Sequence, residues 1–207
     1  MNIINSTKKL IKQFSGLSVR EEQSIEIINK YLGIRPELVL DPTLLIDKDD
    51  YLKLIKHFNT NLDINKNYLC SYILDKTNIT DSYIQKISQL LNYKVIDIKV
   101  EEENFIEKFI YSYNICKSII TDSFHGTVFS IIFNKSFVAF INKSRGSARF
   151  DSLGKIFNIE NRLIYPKEFE MKDLDYFTRG LIINKTNFFF LKEKSIKFLK
   201  KHLEIDK

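Results

Sequence analysis

The chain has no tryptophan, two cysteines, three prolines, six glycines and three histidines. So little glycine and proline argues against a collagen-like, low-complexity or loop-dominated protein. Cys70 and Cys116 stand far apart inside apolar segments, with no CxxC and no histidine beside either. That pattern argues against a zinc site and reads as two reduced core thiols of a cytosolic protein. No run of about 18 apolar residues occurs, so no segment reads as a membrane-spanning helix. The opening MNIINSTKKLIKQF lacks the unbroken apolar stretch of a secretory leader. With histidine this scarce, each one can be weighed singly.

What is present is an apolar share of 44%, enough for a sizeable core, in a length of 207 residues that suits one large domain or two small ones. The net charge of +6 and the isoelectric point near 9.1 invite an anionic partner. The charge is not gathered into one arm. Much of it falls on Lys192, Lys194, Lys197, Lys200 and Lys201, at helical spacing near the end of the chain. None of the usual nucleic-acid motifs accompanies it, so a solvated helix face or contact with another surface is the reading, and nucleic acid is not.

Apolar periodicity predicts an alternation of elements. Helices are expected over 5–14, 21–32, 47–58, 80–92, 102–114, 124–134 and 147–157. Strands are expected over 17–20, 37–40, 68–74, 93–98, 117–121 and 136–141. A long helical segment, broken near Asn184, is expected over 177–204. Strand alternating with helix indicates an α/β, Rossmann-like fold, a mostly parallel sheet with helices on both faces. In such sheets ligands collect at the carboxyl ends of the strands.

Three polar turns fall at those ends: Ser18-Val19-Arg20-Glu21, Thr121-Asp122-Ser123-Phe124-His125, and Asn142 to Arg149. The first turn of a helix offers free N–H groups and partial positive charge, and His125 would sit in one. Arg20, Arg145 and Arg149 could add bidentate contacts to a phosphate or carboxylate. Plainer readings stand beside these. Asp122 or Ser123 could be no more than an N-cap. Gly126 could serve close packing. Arg20 could pair with Glu21 or Glu22, and Asp41-Pro42-Thr43 reads as a structural turn. His57 and His202 lie among lysines and read as exposed.

Five stretches carry a resemblance: Ser18-Val19-Arg20-Glu21, Asp41-Pro42-Thr43-Leu44-Leu45, ITDSFHGTVFSIIFNKSF at 120–137, RGSARFDSLGKIF at 145–157, and Asn161-Arg162-Leu163-Ile164. In order and spacing they resemble the polysaccharide pyruvyl transferases, and Lys194 to Leu199 looks like that family's closing helix. The resemblance implies transfer of a pyruvyl group from phosphoenolpyruvate to a sugar of a bacterial cell-surface polysaccharide, as a cyclic ketal. It implies His125 as the proton-transfer residue; Arg20, Thr121, Ser123, Gly126, Arg145 and Arg149 are the substrate-binding candidates around it, with Arg145 and Arg149 inferred from their turn and not carried over from the family. No metal or cofactor is called for. It also implies a cytoplasmic setting, with attachment to the inner face of the membrane as an option.

Members of that family usually run to about twice this length, as two Rossmann-like halves in a glycosyltransferase-B-like arrangement. On that comparison, residues 1–16 would be the last helix of an amino-terminal half. Residues 17–176 would be the carboxyl-terminal domain and 177–207 a terminal helical segment, with a further half or partner chain completing the cleft. A second departure is Ser123, at a position where some members carry arginine. Two other classes share these features: a nucleotide-sugar-dependent glycosyltransferase, and a non-catalytic half-domain that binds an anion or a partner chain.

Overall fold

Residues 3–142 and 146–203 are described by the computed structural model. Helix α1 (Ile3–Ile11) leads into a small parallel ribbon. Its strands, β1 (Ser18–Val19) and β2 (Glu37–Leu38), are joined through α2 (Glu22–Leu32). Gly33 ends α2 in the left-handed region (φ 67°), where its N–H bonds Asn29 O, as the sequence stop at that glycine predicts. Helix α3 (Lys48–Leu54) then leads to the main sheet.

That sheet has five parallel strands: β3 (Tyr68–Tyr72), β4 (Lys94–Asp97), β5 (Ser118–Thr121), β6 (Ser136–Phe140) and β7 (Leu163–Ile164), in the order β4-β3-β5-β6-β7. The strands are connected by α4 (Asn78–Leu91), α5 (Phe105–Ile115), α6 (Phe124–Ile132) and α7 (Ala148–Phe157). The chain closes with α8 (Asp175–Thr178) and α9 (Lys185–Leu203). The predicted α/β, Rossmann-like architecture is the one observed. The order reverses between β3 and β5, which makes the carboxyl ends of those two strands the switch point of the sheet.

Side chains alternate across the sheet with a period of two. Cys70, Ile119, Phe137 and Ala139 join one core with residues of α5, α6 and α7, together with Leu40, Leu44 and Leu191. Leu69, Ile120, Val138 and Phe140 face the other way, onto Ile84 and Ile87 of α4 and Phe177 of α8. Both cysteines are free and buried, and burial pushes the Cys70 thiol up.

Strand β7 escaped the sequence pattern because two residues are too few to show a period. It is held by Arg162, whose buried guanidinium donates to the carbonyls of Phe137 (3.1 Å), Tyr176 (2.7 Å) and Gly180 (3.2 Å). The expected break near Asn184 is a helix start: Asn184 Oδ1 accepts from Asn187 N at 3.1 Å and caps α9. His202 corrects the expectation of an exposed side chain. Its ring lies 4.5 Å from that of Phe198, and a Cβ on Gly16 would collide with it at 2.6 Å. Among the described residues no helix is long and apolar enough to cross a membrane.

Candidate active site

The turn between β5 and α6 is built by small polar groups. Thr121 Oγ1 donates to Tyr72 O at 2.7 Å and accepts from Ser123 N at 3.1 Å. The Asp122 carboxylate accepts from Leu74 N at 2.7 Å and Asp75 N at 2.9 Å, tying the exit of β3 to the exit of β5. Ser123, not Asp122, is the N-cap: its Oγ accepts from Gly126 N at 3.3 Å. Gly126 answers a close approach. A Cβ there would stand 2.2 Å from Thr121 Oγ1 and 3.0 Å from Tyr113 Oη. Thr121, Asp122, Ser123 and Gly126 are all buried, and His125 alone in this turn stands about half exposed.

The ribbon brings two further groups to that imidazole. Arg20 follows β1 and Asp41 follows β2. Leu40 N donates to Ser195 Oγ at 2.9 Å, so α9 fixes the exit of β2. Asp41 is 4% exposed, and its Oδ1 accepts from Thr43 N (3.1 Å) and Thr43 Oγ1 (2.6 Å). Its Oδ2 accepts from Arg20 Nη1 and lies 4.0 Å from His125 Nε2. The guanidinium carbons of Arg20 and Arg149 lie 5.2 and 5.4 Å from the centre of the Phe124 ring. That ring also meets the imidazole edge-on at 5.4 Å. The result is a shallow depression on the α6–α7 face, floored by Leu40, Leu44, Phe124 and Leu153 and rimmed by the two arginines.

Charge in this depression is finely opposed. Burial alone would raise the Asp41 carboxyl, but the Thr43 hydrogen bonds, Arg20 and His125 outweigh it and hold it below the usual range. Burial likewise lowers His125. Asp41 pulls it back up, while Arg20 and Arg149 push it further down, and the net position is below the ordinary imidazole value of about 6.5. The imidazole is therefore mainly neutral near pH 7. It can accept a proton there, and an incoming anion would raise its basicity.

Of the residues singled out from sequence, the structure brings Arg20, His125 and Arg149 together. Thr121, Ser123 and Gly126 have their side chains, or the space for one, committed to the turn. Arg145 lies outside the described residues. Sequence reasoning missed Asp41. It does close the turn expected of Asp-Pro-Thr, but its second oxygen faces Arg20 and His125. A buried aspartate is a costly choice for a plain turn, yet burial was not legible at that position. Phe124, the ring under both arginines, was also missed, since a lone aromatic at a helix start reads as core.

The parallel α/β sheet, with an imidazole and two guanidiniums gathered near the carboxyl ends of its strands, puts the chain in the large Rossmann-like class, whose ligand sites commonly lie at that edge. The family is more particular: the model described as polysaccharide pyruvyl transferase matches residues 3–144, and the chain belongs to that family. The matched stretch contains Arg20, Asp41 and the whole Thr121–Gly126 turn, and it ends before Arg149. No curated protein and no solved structure matches the chain.

Proposed function

We propose that the chain acts in pyruvyl transfer, with phosphoenolpyruvate as donor and two hydroxyls of a saccharide as acceptor. One observation carries the reading: two guanidiniums over one aromatic ring, beside a neutral, half-exposed imidazole backed by a buried carboxylate. Arg20 and Arg149 match the donor's phosphate and carboxylate, and both contacts strengthen as charge gathers on the leaving phosphate. His125 takes the proton of a sugar hydroxyl as that oxygen attacks C2 of the enol, and returns a proton to C3, which becomes the methyl group. The second hydroxyl closes the ketal as the C2–O bond to phosphate breaks, and its proton leaves with the phosphate. Two C–O bonds form, one C–O bond and one C=C π bond break, and no electron acceptor, metal or cofactor enters.

Asp41 positions the imidazole and stabilises its protonated form. The depression encloses only about 10 Å³, so the substrates would lie over it, and a second wall from a further domain or chain would exclude water and orient the acceptor. The proposed setting is the cytoplasm, where phosphoenolpyruvate is made.

The test is thermal stability against phosphoenolpyruvate concentration. A ligand that binds only the folded chain adds about 2.7 kcal/mol at a hundred times its Kd. The wild type should shift and the Arg20→Ala/Arg149→Ala double variant should not. Equal shifts would remove these arginines from the site. Displacement of phosphoenolpyruvate by a nucleotide-sugar, with transfer of its sugar, would favour a glycosyltransferase instead.

A further inference from the structure

A second opening borders the same turn. It is a groove of about 480 Å³ at the carboxyl ends of the main sheet, and it shares no lining residue with the arginine depression. It lies toward the α4 face. Phe140 and Ile141, at the exit of β6, form its floor, with Ile79 from the first turn of α4 and Tyr165 after β7 at its sides. Asp75, Asn142 and Glu168 rim it, and Asn142 Nδ2 donates to Asp75 Oδ2 at 2.6 Å. Ile79 is 43% exposed, an apolar side chain held open to solvent at the mouth of a groove.

The chemistry of this lining selects its ligand. Among the described residues of the lining, Asp75, Asp122 and Glu168 set three carboxylates against one ammonium, Lys167. A phosphate or carboxylate would meet like charge there. Carboxylate and amide oxygens accept hydrogen bonds from hydroxyls, and an amide also donates. Aliphatic and aromatic walls suit the C–H faces of a pyranose ring. An apolar floor with a few convergent polar groups is the general form of a small-molecule site, and the switch point of the sheet is its usual place. Consecutive Cα atoms are 3.80 Å apart, so those of Asp122, in the groove wall, and His125 are separated by no more than about 11 Å. A chain of two or three sugar rings spans such a gap.

We propose that this groove is a neutral-saccharide subsite, holding rings of the acceptor adjacent to the one presented to His125. The assignment rests on a saccharide being the acceptor, but not on the donor's identity. It divides recognition between two openings, anion in the basic one and polyol in the acidic one.

The experiment is a microarray of neutral and anionic mono- to hexasaccharides probed with the full chain, with thermal stabilisation by phosphoenolpyruvate measured on the same preparations. Neutral glycans should be retained in preference to sulfated or phosphorylated ones. Ile79→Arg, which places bulk and charge at the mouth without touching the core, should cut retention at least about tenfold. Asn142→Ala should lower it too, and circular dichroism confirms that each variant is folded. Arg20→Ala/Arg149→Ala should abolish the phosphoenolpyruvate shift and leave glycan retention as it was. Retention of no neutral glycan, preference for anionic ones, or undiminished retention by folded Ile79→Arg overturns the groove assignment. If the phosphoenolpyruvate shift persists in that event, the groove alone is wrong. If glycans are retained but phosphoenolpyruvate gives no shift, the donor site alone is wrong.

Discussion

Two openings border one turn, and their charges are opposite. On the α6–α7 face stand Arg20, Arg149 and His125, with Asp41 buried beneath them. On the α4 face stand Asp75, Asp122 and Glu168, with Lys167 the one cation among the described residues of the lining. The sheet end and the α6 N-terminus are common to both, so backbone dipole does not separate them. Side chains do. The basic opening draws its charges from elements remote in sequence, Arg20 from the ribbon and Arg149 from α7. The acidic one is lined by the exits of β3, β5 and β6 and the segment after β7. The wall between them is the buried set Thr121, Asp122, Ser123 and Gly126, of which only Asp122 lines the acidic opening, and it fixes where both substrates can lie.

The largest effect that would test this division is at His125. His125→Asn keeps a polar side chain of similar reach but cannot shuttle a proton. Turnover, read as phosphate release from phosphoenolpyruvate with acceptor present, should fall about 10²–10⁴-fold. The thermal shift with phosphoenolpyruvate and retention on neutral glycans should both survive. Near-normal turnover would take His125 out of the chemistry. Loss of glycan retention would show that the two openings are one site.

The shared wall comes next. Gly126→Ala must push a methyl group into Thr121 Oγ1, 2.2 Å away, between two parallel strands and a helix. Overpacking of this kind costs about 1–3 kcal/mol, and the buried setting points to the upper end in chemical denaturation. Thr121→Ala in the same chain should recover part of the loss by clearing the contact. Gly126→Ala alone should weaken both ligands together. Asp122→Asn is a smaller and one-sided change. The amide can accept from only one of the Leu74 and Asp75 N–H groups, and the other is left facing an NH₂. The cost is about 1–2 kcal/mol. It should fall on the β3 exit, weakening glycan retention more than the phosphoenolpyruvate shift.

The division was only half legible in the sequence. The basic opening could be reached because its chemistry is concentrated in rare residues: one histidine at a helix start and arginines in two turns. Asp41 was visible as a turn residue but not as a buried ion-pair partner, since its burial depends on α9 holding Leu40 across 155 positions. The acidic groove left no local sign. Asp75, Asn142 and Glu168 are ordinary loop residues until parallel pairing brings three strand exits to one edge. Long, periodic elements were readable to within a few residues, as at Glu22–Leu32 and Ala148–Phe157. Two-residue β7 was not, because the buried Arg162 clamp that holds it is a tertiary feature.

The smallest expected effect is a pH dependence, and it separates the openings most cleanly. Burial, with Arg20 and Arg149, places His125 below its unfolded value of about 6.5. Between those two values the unfolded chain holds more protons than the folded one, so stability rises with pH there. This contribution is fully present above about 6.5 and is lost as pH falls toward the folded value. Asp41, also held below its usual range, keeps its contribution above about 3.8 and loses it only as pH falls below that. The slope near pH 6 should flatten in His125→Asn. Phosphoenolpyruvate brings negative charge beside the imidazole and raises its basicity, so donor binding near pH 6 should take up a fraction of a proton. Neutral glycan binding brings no charge beside the imidazole and should take up none. Calorimetric titration in two buffers of different ionisation enthalpy reads both numbers. Equal proton uptake by the two ligands would mean that both meet His125, and that the acidic groove is not a separate subsite.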